Sequence, residues 1–225
     1  MKTVLITCVG GAFDGNLYNV FRREGYETFA MGENLPHDLT KAAEIVQEKI
    51  GKLDFLVDTT DYVDPDDDFS IAGTGIDTDI IERTFRENVL RPMAILEAFL
   101  PLLDTGYDKR LFYLSAREAS INEKRSSARY AYSMSKAALH QFIQTTRNVL
   151  VPDAPIDRWA DRSHLPPGYT FRVFDPMHGK IAPEISAESA FLYITRRRGT
   201  ENDDPFRDDE NNLVMRDAEG RQVPW

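Results

Sequence analysis

Cysteine is nearly absent from this chain. Cys8 is the only one in 225 residues, which excludes an internal disulfide and any cysteine-based metal cluster. Histidine is scarce as well, and His37, His140, His164 and His178 show no metal-ligand spacing. No apolar run is long enough to cross a bilayer. Met1 leads straight into a strand-like segment, without a charged-then-apolar leader. Positive charge is in deficit: the formal net charge of −10 argues against a general binder of nucleic acid or of anionic membranes. There is no internal repeat. The expectation is a cytoplasmic protein whose 42% hydrophobic content supports one sizeable core.

The apolar, β-branched run at residues 3–9 predicts a strand buried on both faces. A glycine-rich turn at 10–15 and a helix over 16–24 follow, ended by Gly25. Strand, glycine turn and helix start together offer backbone N–H groups to a phosphate, although such a turn can equally just reverse the chain. Further strands are predicted at 27–31, 37–39, 54–58, 111–115, 170–174 and 213–215. Helices are predicted at 40–51, 79–103, 130–150 and 184–197, with Arg196–Arg198 as favourable charge at a helix end. The aspartate-rich stretch 61–68 lacks the glycine and final glutamate of a calcium loop and reads as solvated. Residues 151–169 and 199–212 read as irregular insertions within a single domain spanning 1–225, and the tail is expected to fold back through Pro224 and Trp225. Alternating buried strands and helices imply a Rossmann-like three-layer α/β/α sandwich with a mostly parallel central sheet.

Two constellations carry chemistry. Tyr132 and Lys136 are four apart, so they share one helix face. An ammonium beside a phenol favours the phenolate, and such a tyrosine can exchange a proton with a carbonyl or alcohol oxygen. The pattern is short enough to arise in any amphipathic helix, so its context has to carry it. Asn88 precedes Pro92 by four, and Pro92 has no N–H for the Asn88 carbonyl. A kink is expected there, with that carbonyl left for water or a ligand. The turn from Gly10 to Gly15, Ser115 and the loop after Phe174 all follow strand ends, which in such sheets is the ligand edge.

Taken in order, Thr7, Asp38-Leu39, Leu56-Val57, Asn88-Val89, Leu114-Ser115, Tyr132-x-x-x-Lys136 and Asp175-Pro176 resemble the short-chain dehydrogenase/reductase family over nearly the whole chain. The resemblance implies an oxidoreductase using NAD or NADP on a small carbonyl or alcohol substrate. It implies Tyr132 as general acid/base, Lys136 lowering its pKa and binding the nicotinamide ribose, Asn88 in a proton relay, and a catalytic serine near Ser115. The cofactor would be met by Thr7, Gly10, Gly11, Asp14, Gly15, Asp38, Leu39, Lys136 and Pro176. Pairing through helices 79–103 and 130–150 into a homodimer or homotetramer is implied too.

The sequence departs from that family at defined places. Its first-turn glycines are here Cys8, Ala12 and Asp14, and its Asn-Asn-Ala-Gly turn is Asp58-Thr59-Thr60-Asp61. If Ser115 is the first serine of the family's pair, Ala116 replaces the catalytic one, with Ser120, Ser126 or Ser127 as substitutes. Asp14 meets a helix start, where a carboxylate caps well but repels a dinucleotide. Two readings therefore stand: an atypical reductase, or a protein of this fold that acts as a binding or regulatory partner without dinucleotide-dependent catalysis.

Overall fold

A computed structural model describes residues 1–123, 129–151, 168–196 and 213–225. Ser126, Ser127, Arg197, Arg198 and most of both expected insertions lie outside them. The strands are β1 (Thr3–Ile6), β2 (Glu27–Ala30), β3 (Phe55–Asp58), β4 (Arg110–Leu114), β5 (Thr170–Asp175), β6 (Met215–Asp217) and β7 (Gln222–Val223). They form one sheet in the order β2-β1-β3-β4-β5-β6-β7. All neighbours pair in parallel except β6 with β7. The helices are α1 (Ala12–Arg23), α2 (Leu39–Lys49), α3 (Thr78–Phe85), α4 (Arg91–Asp104), α5 (Tyr130–Leu150) and α6 (Pro183–Thr195).

Alternation along the strands assigns the layers. Leu5, Phe29, Leu56, Leu111 and Tyr113 point into one core with Val46 of α2, Phe99 of α4 and Ile143 of α5. Val4, Ile6, Phe55, Val57, Phe112 and Leu114 point into the other, with Leu17 and Phe21 of α1 and Ala190 and Ile194 of α6. This is the expected Rossmann-like three-layer α/β/α sandwich with a mostly parallel central sheet.

Several local expectations are corrected. Residues 37–39 form no strand. Asp38 instead caps α2, its carboxylate accepting the Lys41 N–H at 3.0 Å. The sheet therefore ends at β2, whose outward Thr28 carbonyl and Ala30 N–H are met by the side chain of Asn34 at 2.9 and 2.7 Å. Helix α1 starts at Ala12, four residues earlier than the pattern suggests. The strand near 213–215 is not the edge, because β7 returns antiparallel beside it. Val223 and Trp225, rather than Pro224, pack inward at the tail, where Trp225 lies 4.3 Å from the His140 ring.

The long helix expected from Asp79 begins one residue earlier, with Asp77 capping it by accepting the Asp79 and Ile80 N–H groups. It breaks at a π-helical turn, Arg86–Leu90, directly ahead of Pro92. An extra residue per turn is where a helix accommodates a missing donor.

Gly106 fixes the approach of α4 to β3: a Cβ there would stand 1.9 Å from the Leu53 carbonyl oxygen. Gly106→Ala is expected to destabilise the fold by about 2–3 kcal/mol through backbone overpacking. Gly15→Ala, with nothing within 4 Å of the added atom, is expected to be neutral or to stabilise by roughly 0.5–1 kcal/mol through helix propensity. Urea unfolding of both variants checks the contrast.

Candidate functional site

The carboxyl ends of β3, β4 and β5 and the start of α5 face a cleft of about 440 Å³ lined by Asp61, Tyr132, Ala116, Arg129, Met177 and His178 among others. Tyr132 and Lys136 stand on the first turns of α5, both buried. The start of that helix is held by Asp67, whose carboxylate accepts the N–H groups of Ala131 at 3.2 Å and Tyr132 at 2.8 Å. The stretch 61–68 is therefore only partly the solvated loop expected: Val63, Pro65, Asp66 and Asp68 are exposed, but others are engaged. Asp64 and Asp67 are buried, and Asp64 pairs with Arg83 at 3.1 Å.

Asp61 dominates the site. Its Oδ1 accepts the Tyr132 hydroxyl at 2.8 Å and lies 3.0 Å from Lys136 Nζ, while its Oδ2 lies 3.5 Å from His178 Nε2. Lys136 is fully buried and also donates to the carbonyls of Thr60 at 2.9 Å and Leu114 at 3.3 Å. Burial alone would push the Asp61 carboxyl up, but the Lys136 charge and the donors around it hold it well below the usual range. Tyr132 is driven the other way. Burial, then the Asp61 charge, raise its phenol well above 10. The expected lowering of the tyrosine by its lysine is thus reversed, first by burial and then by the carboxylate bonded to both, since donation to it stabilises the neutral phenol. The hydrogen bond to Asp61 raises the His178 imidazole.

The other candidates are placed as follows. Asn88, in the π-helical turn, spends its amide on clamping the loop after β3: Oδ1 accepts the Tyr62 N–H, and Nδ2 donates to the Tyr62 carbonyl and Ser135 Oγ, at 2.8–3.0 Å. Ser115 is fully buried and does not line the cleft. Its hydroxyl lies 2.7 Å from His140 Nε2, and burial lowers that imidazole to about 3. The next residue, Ala116, lines the cleft together with Tyr132. Thr7 donates to Asp58 at 2.9 Å and receives the Thr59 N–H at 3.2 Å, tying β1 to β3. Pro176 is buried, and its carbonyl accepts Ser186 Oγ at 2.8 Å. Asp38 and Leu39 lie beyond the outer strand β2, at the start of α2.

At the glycine turn, the Asp14 carboxylate accepts the N–H groups of Gly10 at 2.9 Å and Gly11 at 3.2 Å, and Gly15 N–H returns to the Gly11 carbonyl at 3.1 Å. The donors that a phosphate would use there are taken by the chain's own carboxylate. Asp58 Oδ2 is buried without a hydrogen-bond partner among the described residues. In this arrangement the Gly10 and Gly11 N–H groups are engaged by Asp14, and a dinucleotide's pyrophosphate would have to displace that carboxylate to reach them.

Asp61 and His178 were not assigned roles from the sequence. A buried lysine needs a carboxylate, and four aspartates at 58, 61, 64 and 67 after one strand were the available signal. Arg117, which bridges Asp175, Asp217 and Glu123, gave none.

Two outcomes follow. Asp67→Ala is expected to cost about 1–2 kcal/mol by uncapping α5, measured by chemical denaturation. His178 has a raised folded pKa, so its pairing contributes fully below the unfolded value of about 6.5 and is lost as pH rises through the folded pKa. The melting-temperature difference between wild type and His178→Gln should be largest below about pH 6.5 and fade as pH rises through the raised folded value.

No family model matches the sequence. A 71-residue stretch is 35% identical to the C-signal protein of Myxococcus xanthus, covering 32% of this chain and 43% of that protein, so less than half of that relative's length is matched. Solved structures match over far more of the chain. The carbonyl reductase Sniffer of D. melanogaster aligns over 100% of both chains with a TM-score of 0.72 at 15% identity. A carbonyl reductase from Pseudomonas aeruginosa in complex with NADP aligns over 100% of both chains with a TM-score of 0.68 at 16% identity. A short-chain dehydrogenase/reductase family oxidoreductase from Brucella ovis, in complex with a partially ordered NAD, has a TM-score of 0.63 at 14% identity, covering 87% of this chain and 93% of its own. At these identities the likeness is one of architecture: this chain has the fold of the short-chain dehydrogenases/reductases.

Proposed function

We propose that the chain is a small-molecule-binding protein built on the dehydrogenase fold, in which the tyrosine–lysine pair of such enzymes has become a structural ion-pair network. The observation that carries this reading is Asp61, bonded at once to Tyr132 and Lys136. A tyrosine raised well above 10 and donating to a buried carboxylate is a poor general base at neutral pH. Asp14 in the glycine turn and Ala116, lining the cleft with Tyr132, support the same reading.

A second reading keeps a specific observation in its favour. Tyr132 lines the cleft with Lys136 one turn behind it, on the fold of reductases that bind NADP or NAD. On that reading the chain is an NAD- or NADP-dependent oxidoreductase of a small carbonyl or alcohol compound, and Asp61 leaves Tyr132 and Lys136 when the dinucleotide enters. Under either reading we propose a homodimer or homotetramer through α4 and α5, around which Leu90, Met93, Met134 and Val149 are exposed. No described helix is long and apolar enough to cross a membrane.

Calorimetric titration with NADPH, NADP⁺, NADH and NAD⁺ separates the two. The binding-protein reading expects no heat at millimolar dinucleotide from protein shown to be folded by circular dichroism. It expects a gain of binding in Asp14→Gly/Asp61→Asn. Micromolar binding to the wild-type chain would overturn it in favour of the oxidoreductase, and Tyr132→Phe should then abolish carbonyl reduction.

A further inference from the structure

The cleft retains ligand chemistry after its buried network is accounted for. Two of its carboxylates are engaged: Asp61 by Tyr132, Lys136 and His178, and Asp175 by Arg117 at 3.2 Å and the Met177 N–H at 2.9 Å. Two of its cations are not. Arg129 and Lys180 line the cleft, are exposed, and among the described residues make no ion pair. Glu118 is the lining carboxylate that, among the described residues, lacks an ion pair. Val63, Ala116 and Met177 supply an apolar wall. The cleft is thus lined by two cations, Arg129 and Lys180, and one carboxylate, Glu118, that make no ion pair among the described residues.

Backbone strain points to the same place. Among the described residues, Lys109, Arg129 and Met177 are the non-glycine positions at positive φ. Two of them, Arg129 at 59° and Met177 at 55°, line this cleft. Side-chain-bearing residues hold such conformations only where the surroundings enforce them, and they gather at ligand sites. A cavity of about 440 Å³ is of the size that small molecules occupy.

We propose that this cleft binds a small organic acid, its carboxylate held by Arg129 and Lys180 and its carbon skeleton laid against Val63, Ala116 and Met177. This rests on the binding-protein reading to the extent that no dinucleotide shares the site. Glu118 selects against acids whose second charge falls near it.

The test is calorimetric titration of cofactor-free protein with butyrate, pentanoate and the uncharged butyramide. One or both acids bind and the amide does not. Arg129→Gln and Lys180→Gln each weaken acid binding about tenfold or more, the range of a charged hydrogen bond. Glu118→Gln tightens it, and Lys41→Gln, on the exposed face of α2, leaves it unchanged. No binding of either acid at millimolar concentration by folded protein overturns the proposal, as does binding that is indifferent to both Arg129→Gln and Lys180→Gln or equal for butyramide. Tight NADPH binding in a parallel titration overturns the binding-protein reading instead, and the acid titrations still decide the occupant of the cleft.

Discussion

A fully buried ammonium sets the terms for this structure. Lys136 has no access to water, and stripping such an ion of its hydration costs several kcal/mol unless charge and acceptors replace it. The replacement comes from two strand ends and one loop: the Leu114 carbonyl after β4, the Thr60 carbonyl after β3, and the Asp61 carboxylate. Those contacts pin α5 across the middle of the sheet. Tyr132 is then bound to the same carboxylate, and burial followed by that negative charge sets its acidity.

The loop after β3 works as a ladder of carboxylates, each serving a different element. Asp58 receives Thr7 from β1, Asp61 neutralises α5 from inside, Asp64 receives Arg83 from α3, and Asp67 caps α5. Asn88 clamps the same loop through both faces of its amide. A segment rich in one charge would ordinarily repel itself; here each member faces a separate donor. The rigidity of the ligand edge therefore comes from polar bonds radiating out of one loop, while the two apolar cores only set the distance between layers.

The architecture was readable because buried strands write their period into the sequence. Leu5 against Val4 and Ile6, and Leu56 against Phe55 and Val57, divide cleanly between the two cores. The break at Asn88 was readable because proline's missing donor is a local fact. Other features were hidden for physical reasons. The early start of α1 depends on Asp14 reaching back to Gly10 and Gly11, a side-chain bond that apolar spacing does not report. The missing strand at 37–39 turns on whether Asp38 extends the chain or caps a helix, and its composition permits both. Asp61 and His178 come from loops after different strands, so no window of sequence brings them together.

The sheet ends at β2, and the outward polar groups of that strand are the ones another chain could pair with. Asn34 closes them with a single side-chain amide, offering its oxygen to the Ala30 N–H and its nitrogen to the Thr28 carbonyl in the manner of a neighbouring peptide group. One residue thus stands in for an absent strand, and the sheet is terminated chemically rather than covered. Growth of the sheet from molecule to molecule, the route by which open β edges seed aggregates, is blocked there by one amide on a short turn.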